Sequence, residues 1–376
     1  MVYLNNIVVI LIFFTLFFAS KLIVGEVIND DGATEKEKQE LGRHLFFDVR
    51  LSEDGNRSCA LCHDVNHGWA NKFTRTLNID NTFGRLNTPS ILNVINYKHF
   101  SQENSNINSI YKSVLNPLFN KDEMSMNEGL LIKRLSEASS IYSELFFTAY
   151  GDREITLTRV VESLVYYISL INSKETRYHQ YKSEGHNIMT KKELNGMNLF
   201  YSYKLKCAQC HGGDLFNTPD ESNVSPYFNT GLYGILDDAG DITYPDRSAG
   251  ARLYTQKKND DGKFRVPSLI NVTNTGPWGH DGSFRTLSSM IESYANGGRL
   301  IATGRDAGDG RLHPSKDQKI TGFLLSNSEK EELISFLTAL SVQEVNSLEM
   351  FQSPFCSTQV TSPKGAVTDC IPPFKK

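Results

Sequence analysis

Apolar residues recur at helical spacing in three stretches, Leu130–Leu135, Thr158–Ile171 and Glu329–Leu340, and each is predicted to be an amphipathic helix. In the second stretch Val160, Val161, Leu164, Val165 and Ile168 share one face. Thr34-Glu35-Lys36-Glu37, Thr190-Lys191-Lys192-Glu193 and Ser328-Glu329-Lys330-Glu331 read as capping boxes, in which a hydroxyl and the Glu three residues on satisfy free amides at a helix start. Strict alternation with hairpin turns is scarce, and long segments rich in Gly, Asn, Asp and Pro separate the periodic ones. The pattern predicts a mainly α protein with long loops. At the start, Ile7 to Phe18 is almost unbroken apolar sequence, shorter than the roughly 20 residues of a bilayer span. Small residues follow at Ala19, Ser20 and Gly25, which predicts a secretory signal over residues 1–25. No Lys or Arg precedes the run, and Leu22 to Val24 could extend it into an uncleaved anchor instead.

Composition narrows the class. The chain has 376 residues, 39% hydrophobic and 22% charged, enough for two or three globular domains at about 150 residues each. Its 39 basic and 43 acidic residues leave a net charge of −4, with no basic run, so recognition of nucleic acid through its phosphates is not expected.

The six cysteines carry the chemistry. Four lie in Cys59-Ala60-Leu61-Cys62-His63 and Cys207-Ala208-Gln209-Cys210-His211. Two thiols three positions apart can reach both vinyl groups of one haem, and the next imidazole then lies under the iron as proximal ligand. A four-thiolate zinc site would place its pairs about 15–20 residues apart. Here the pairs stand 148 residues apart (59 to 207), and a thioredoxin-like pair would not need the His twice. The motifs therefore predict two covalently bound c-type haems. Cys356 and Cys370 remain, and in an exported chain they are expected to form a disulfide pinning the tail, worth about 3 kcal/mol.

The landmarks repeat. Glu40, Leu41, Gly42, Leu45 and Phe46 lead into the first haem motif as Glu193, Leu194, Gly196, Leu199 and Phe200 lead into the second. Pro89-Ser90-Ile91-Leu92-Asn93-Val94 is echoed by Pro267-Ser268-Leu269-Ile270-Asn271-Val272. The haem motifs are offset by 148 residues and the Pro-Ser echo by 178 (89 to 267), so about 30 extra residues are expected between these landmarks, from Asp214 to Gly262. This predicts an internal duplication: two cytochrome c-like domains, over 26–180 and 181–345, with a tail over 346–376.

From about Glu35 to Leu340 the chain resembles the bacterial di-haem cytochrome c peroxidases and the MauG proteins. The resemblance rests on Leu41-Gly42-Arg43 through Leu45-Phe46-Phe47-Asp48, Arg50-Leu51-Ser52, both haem motifs, and Asn87-Thr88-Pro89-Ser90. It continues through Asn116-Pro117-Leu118 with Glu123-Met124, Val266-Pro267-Ser268-Leu269 and His280-Asp281-Gly282-Ser283-Phe284. The tail after Val342 does not match.

The resemblance implies that the first haem reduces hydrogen peroxide with Glu123 as the distal acid–base group. Ser113 stands where relatives usually carry Gln, which alters part of the distal network. Loop 78–80 lacks the His that caps the iron in many relatives, and His67 lies too near His63 to reach the opposite face, so an open first haem is expected. At the second haem, Tyr294 occupies the position of the MauG tyrosine ligand, where a phenolate favours high-valent iron. Met290, one turn earlier, is the rival. A calcium ion between the haems would be held by oxygens of Asn87, Thr275 and Pro277.

Electrons would come from a small donor protein of cytochrome c or cupredoxin type, or from a protein substrate, in the periplasm. The tryptophan that bridges the haems in relatives is missing from Phe100-Ser101-Gln102-Glu103-Asn104-Ser105, leaving Tyr97, Phe100 or Trp278 as replacements. The alternatives are a MauG-like oxidase that modifies a protein and a non-catalytic di-haem electron carrier.

Overall fold

The structure, a computed structural model, describes residues 35–185, 187–219, 224–342 and 348–355. The apolar run at the N-terminus, the Thr34 cap, Cys356 and Cys370 lie outside the described residues. Eleven helices are found among them: α1 Glu35–Phe47, α2 Cys59–Cys62, α3 Ile110–Phe119, α4 Glu128–Glu137, α5 Ser139–Tyr150, α6 Leu157–Leu170, α7 Arg177–Glu184, α8 Lys191–Phe200, α9 Arg252–Thr255, α10 Leu287–Ala295 and α11 Asn327–Ala339. The six strands are two residues each and form three antiparallel pairs between Tyr227 and Asp309.

The periodic segments fold as expected, with one correction. The last helix begins two residues earlier than the sequence suggested. Its capping box is Ser326 with Glu329, Ser326 accepting from the Glu329 amide, so Ser328 lies inside the first turn. The Thr190–Glu193 box forms as expected.

Two helix pairs organise the core, α1 on α6 and α8 on α11. In each pair a glycine of the helix preceding a haem motif lies against the partner helix's backbone. A methyl group on Gly42 would sit 1.9 Å from the Ser163 carbonyl oxygen, and one on Gly196 would sit 1.9 Å from that of Glu332. Around these contacts Leu41, Leu45, Phe46, Val160 and Leu164 are buried in the first half, and Phe200, Leu333, Phe336 and Leu337 in the second. Full burial of each such side chain contributes about 1.5–3 kcal/mol.

The echoed sequences adopt matching backbone. Asn93 and Asn271 both take left-handed conformations, and their amides donate to the carbonyls that end α6 and α11, Ile171 (2.8 Å) and Leu340 (2.9 Å). Ser90 donates to the Gly68 carbonyl (2.6 Å) and Ser268 to the Leu215 carbonyl (2.8 Å). The stretch from Asp214 to Gly262 holds β1 Tyr227–Phe228, β2 Ile235–Leu236, β3 Ile242–Thr243 and α9, none of which has a counterpart in the first half.

Asp48 and Arg50, part of the family-like signature, turn out to be scaffold. Asp48 caps the Arg50 amide, pairs with its guanidinium at 2.9 Å and accepts from the buried Tyr142 hydroxyl at 2.5 Å.

Candidate haem sites

The two Cys-x-x-Cys-His segments present their histidines in the same way. Each His amide donates to the carbonyl of the first cysteine, at 2.8 Å in His63 and 2.9 Å in His211. His63 Nδ1 lies 3.1 Å from the Trp69 carbonyl oxygen, and His211 Nδ1 lies 3.0 Å from that of Phe216. A carbonyl can only accept, so Nδ1 carries the hydrogen in both rings and Nε2 is left bare, as an iron ligand must be. Burial holds both imidazoles below the ordinary histidine value, partly opposed by these carbonyls and those of Pro89 and Pro267. Burial pushes the Cys59 and Cys207 thiols up to about 12, and Cys62 to about 11. Catalytic and metal-binding thiols are depressed instead. Among the described residues no three His, Cys, Asp or Glu side chains converge as a metal cluster.

Glu123 follows the C-terminus of α3 and lies close enough to Cys62 to raise its thiol. Burial lifts the Glu123 carboxyl above the usual carboxylate range, opposed by a hydrogen bond from Asn120 Nδ2 to Oε1 at 2.7 Å and helped by Asp122. The Ile79 amide donates to the Asp122 carbonyl at 2.8 Å, which ties loop 78–82 to the Glu123 turn. His67 is engaged on its own side, Nδ1 at 2.8 Å from Asp64 Oδ2.

The second motif opens on a cavity of about 290 Å³ lined by Cys207, Cys210, His211, Met290, Tyr294 and His280. Met290 and Tyr294 stand one turn apart on α10, so the structure brings both candidate ligands to the same wall. Burial pushes the Tyr294 phenol above its ordinary value, and Cys210 and Cys207 beside it add to the shift. Asn87, Thr275 and Pro277 line this cavity too. Asn87 Nδ2 donates to the carbonyls of Phe73 (3.0 Å) and Thr74 (3.2 Å), so its Nδ2 is engaged by backbone. Of the aromatic residues expected to replace the bridging tryptophan, Tyr97 and Trp278 lie on the cavity wall, while Phe100 packs against the main core.

Two buried polar atoms test whether a haem fits. His280 Nε2 and Arg265 Nε have no hydrogen-bond partner, and both residues line the cavity. Burial holds His280 at about 4, with its ring stacked on Phe264 at 3.8 Å, and lowers Arg265 as well. An unpaired guanidinium N–H and an unpaired imidazole nitrogen on the wall of an apolar cavity suit the acidic side groups of a porphyrin. Asp281 next to His280 feels burial that pushes its carboxyl up, but His280, the Tyr233 hydroxyl at 2.5 Å and Arg299 outweigh it and hold it at about 2.

Sequence reasoning singled out neither Arg265 nor the carbonyl acceptors Trp69 and Phe216. The available signal was positional, an aromatic five or six residues after each motif histidine. It became readable only once both residues were seen at positive φ, +63° and +55°.

Known proteins resemble this chain over most of its length. The family described as di-haem cytochrome c peroxidase matches residues 36–187. The chain is 28% identical to methylamine utilization protein MauG of Methylorubrum extorquens over 82% of this chain and 79% of that protein. It is 27% identical to cytochrome c551 peroxidase of Nitrosomonas europaea over 68% and 71% of the two chains. Among solved structures, a MauG-like protein associated with microbial copper homeostasis is 30% identical, with a TM-score of 0.78, covering 88% of this chain and 96% of that one. The diheme peroxidase BthA of Burkholderia thailandensis shares the fold, with a TM-score of 0.63 at 20% identity over 85% and 88% of the two chains.

Proposed function

Because this chain belongs to the family of di-haem cytochrome c peroxidases and MauG proteins, an oxidoreductase family acting on hydrogen peroxide, we propose that it reduces peroxide at a haem held by Cys59, Cys62 and His63. A second haem on Cys207, Cys210 and His211 would exchange electrons with a redox protein or a protein substrate. The paired landmarks of the two halves support an origin by duplication, with cytochrome c-like domains over 26–180 and 181–345. The observation that carries the reading is the pairing of two half-buried Nδ1-anchored histidines with the half-buried carboxyl of Glu123 in the turn near Cys62.

When bound, the haem supplies a redox-active iron able to take peroxide at an open position. His63 would hold that iron through Nε2, since its Nδ1 is engaged by the Trp69 carbonyl. Asn120 fixes Glu123 Oε1, so Oε2 is the atom that takes a proton from one peroxide oxygen and returns it to the other. A carboxyl raised by burial is suited to both halves of that exchange. At the second site His211 and Tyr294, with Met290 as the rival to Tyr294, would hold the iron, and His280 and Arg265 would bind the acidic groups of the porphyrin. Asn87, Thr275 and Pro277 would hold calcium.

Tyr294 also favours a second reading, a MauG-like oxidation of a protein substrate, since a phenolate stabilises an oxidised second haem instead of drawing electrons in. Among the described residues no helix is long and apolar enough to cross a membrane. We place the protein in the periplasm on the strength of its haem chemistry and the apolar N-terminal run.

The test is turnover by the purified holoprotein with peroxide and either small reduced donors or a candidate protein. Rapid oxidation of reduced cytochrome c or cupredoxin supports the peroxidase reading. Poor small-donor turnover with covalent change in a protein partner supports the second. Inertness with both rejects enzymatic function.

A further inference from the structure

The segments that follow the last helix of each half cross to the other half. Beyond α6 the chain enters α7, where the Tyr178 ring meets Phe216 edge-on with centroids 5.2 Å apart. Beyond α11, the short turn Glu349–Phe351 returns to the first half, and Phe351 meets Trp69 edge-on at 5.1 Å and 79°. Phe216 and Trp69 are the two residues whose carbonyls accept from the motif histidines.

Both acceptors adopt a left-handed backbone. That conformation is strained for a bulky residue and persists only where the surrounding structure enforces it. Phe216 is enclosed by Phe200, Phe336 and Tyr178. Trp69 is enclosed by Phe46 and Phe351, only the first of which belongs to its own half. The returning segment is itself fixed, since the Tyr167 hydroxyl donates to the Met350 carbonyl (3.2 Å) and Arg43 Nε to the Gln352 carbonyl (3.0 Å). Phe351 and Trp69 are only 4% and 2% exposed, so the contact is a closed one.

We propose that Phe351 is a positioning residue for His63: by holding Trp69 in its left-handed conformation, it sets the Nδ1 hydrogen bond and thereby the strength of Nε2 as a donor to the first haem. Tyr178 does the same for His211 through Phe216, so each proximal site is tuned by a segment from the other half. A histidine that donates to a well-placed carbonyl is a more basic ligand. Removing the clamp lets Trp69 relax, weakens that bond and makes the oxidised iron less favoured.

This rests on the reading that His63 and His211 are the proximal ligands, and the experiment separates the two. Holoproteins carrying Phe351→Ala, Tyr178→Ala or His63→Ala are compared with the unaltered chain by resonance Raman spectroscopy of the reduced haems and by potentiometric titration. Phe351→Ala is expected to lower the iron–histidine stretch and raise the potential of the first haem alone. Tyr178→Ala is expected to raise the potential of the second haem alone, and Phe351→Tyr to restore unaltered values at the first. If Phe351→Ala does not accumulate with both haems, Phe351→Leu, which lacks the ring, is read identically. A lowered melting temperature with both haem signatures unmoved overturns the clamp. If His63→Ala leaves the first haem's spectrum unchanged, the ligation reading fails instead.

Discussion

Asn120 holds Glu123 by one carboxylate oxygen, its Nδ2 lying 2.7 Å from Oε1, in a turn that also places the carboxyl near Cys62. Replacing Glu123 by Gln keeps the shape and the hydrogen-bonding span but removes the proton carrier. Peroxide-driven turnover is expected to fall by about 10²–10⁴-fold, the usual loss for one acid–base group, with both haems still attached. Steady-state assay beside a haem-content measurement checks it.

The same burial sets a pH dependence. Glu123 accepts a proton from peroxide only as the carboxylate, and burial raises its carboxyl above the ordinary value of 4.5. Turnover limited by peroxide should therefore decline as pH falls through a midpoint above 4.5, and Glu123→Gln should abolish that limb. Stability runs the other way. A carboxyl raised on folding favours the folded state below its unfolded pKa, and that contribution is lost as pH rises through the folded one.

Tyr294 and Met290 share the wall of the second cavity. If Tyr294 is the ligand, Tyr294→Met exchanges a phenolate for a thioether and should raise the second haem's potential markedly, leaving the first unmoved. Met290→Leu should change neither. Redox titration of both variants decides between the two side chains.

The close helix crossings make a stability prediction. A methyl group added at Gly196 would fall 1.9 Å from the Glu332 carbonyl oxygen, which is backbone and cannot swing aside. Gly196→Ala should destabilise the protein by about 1–3 kcal/mol through overpacking, and Gly42→Ala should act similarly against Ser163. Chemical denaturation of the holoproteins measures both.

The sequence made the attachment chemistry legible because a covalent haem demands fixed spacing, and that spacing survives in a linear reading. Helices were legible where one face is buried, as in Val160, Val161 and Leu164. The start of α11 was misplaced because Ser326 and Ser328 both precede suitable acids, and only the hydrogen bond from the Glu329 amide distinguishes them. His280 and Arg265 were not assigned a role, since an unpaired buried atom is a property of packing. The return of Phe351 to Trp69 joins positions almost three hundred residues apart, and no local pattern encodes it.

The central claim is an open first haem with a proton carrier beside it, and the most direct test is an optical titration of the untreated ferric holoprotein with hydrogen peroxide. An open first haem gives a high-spin component at the outset and a rapid spectral change complete near one equivalent. Two haems already low-spin and six-coordinate, with spectra unmoved by excess peroxide, would contradict it.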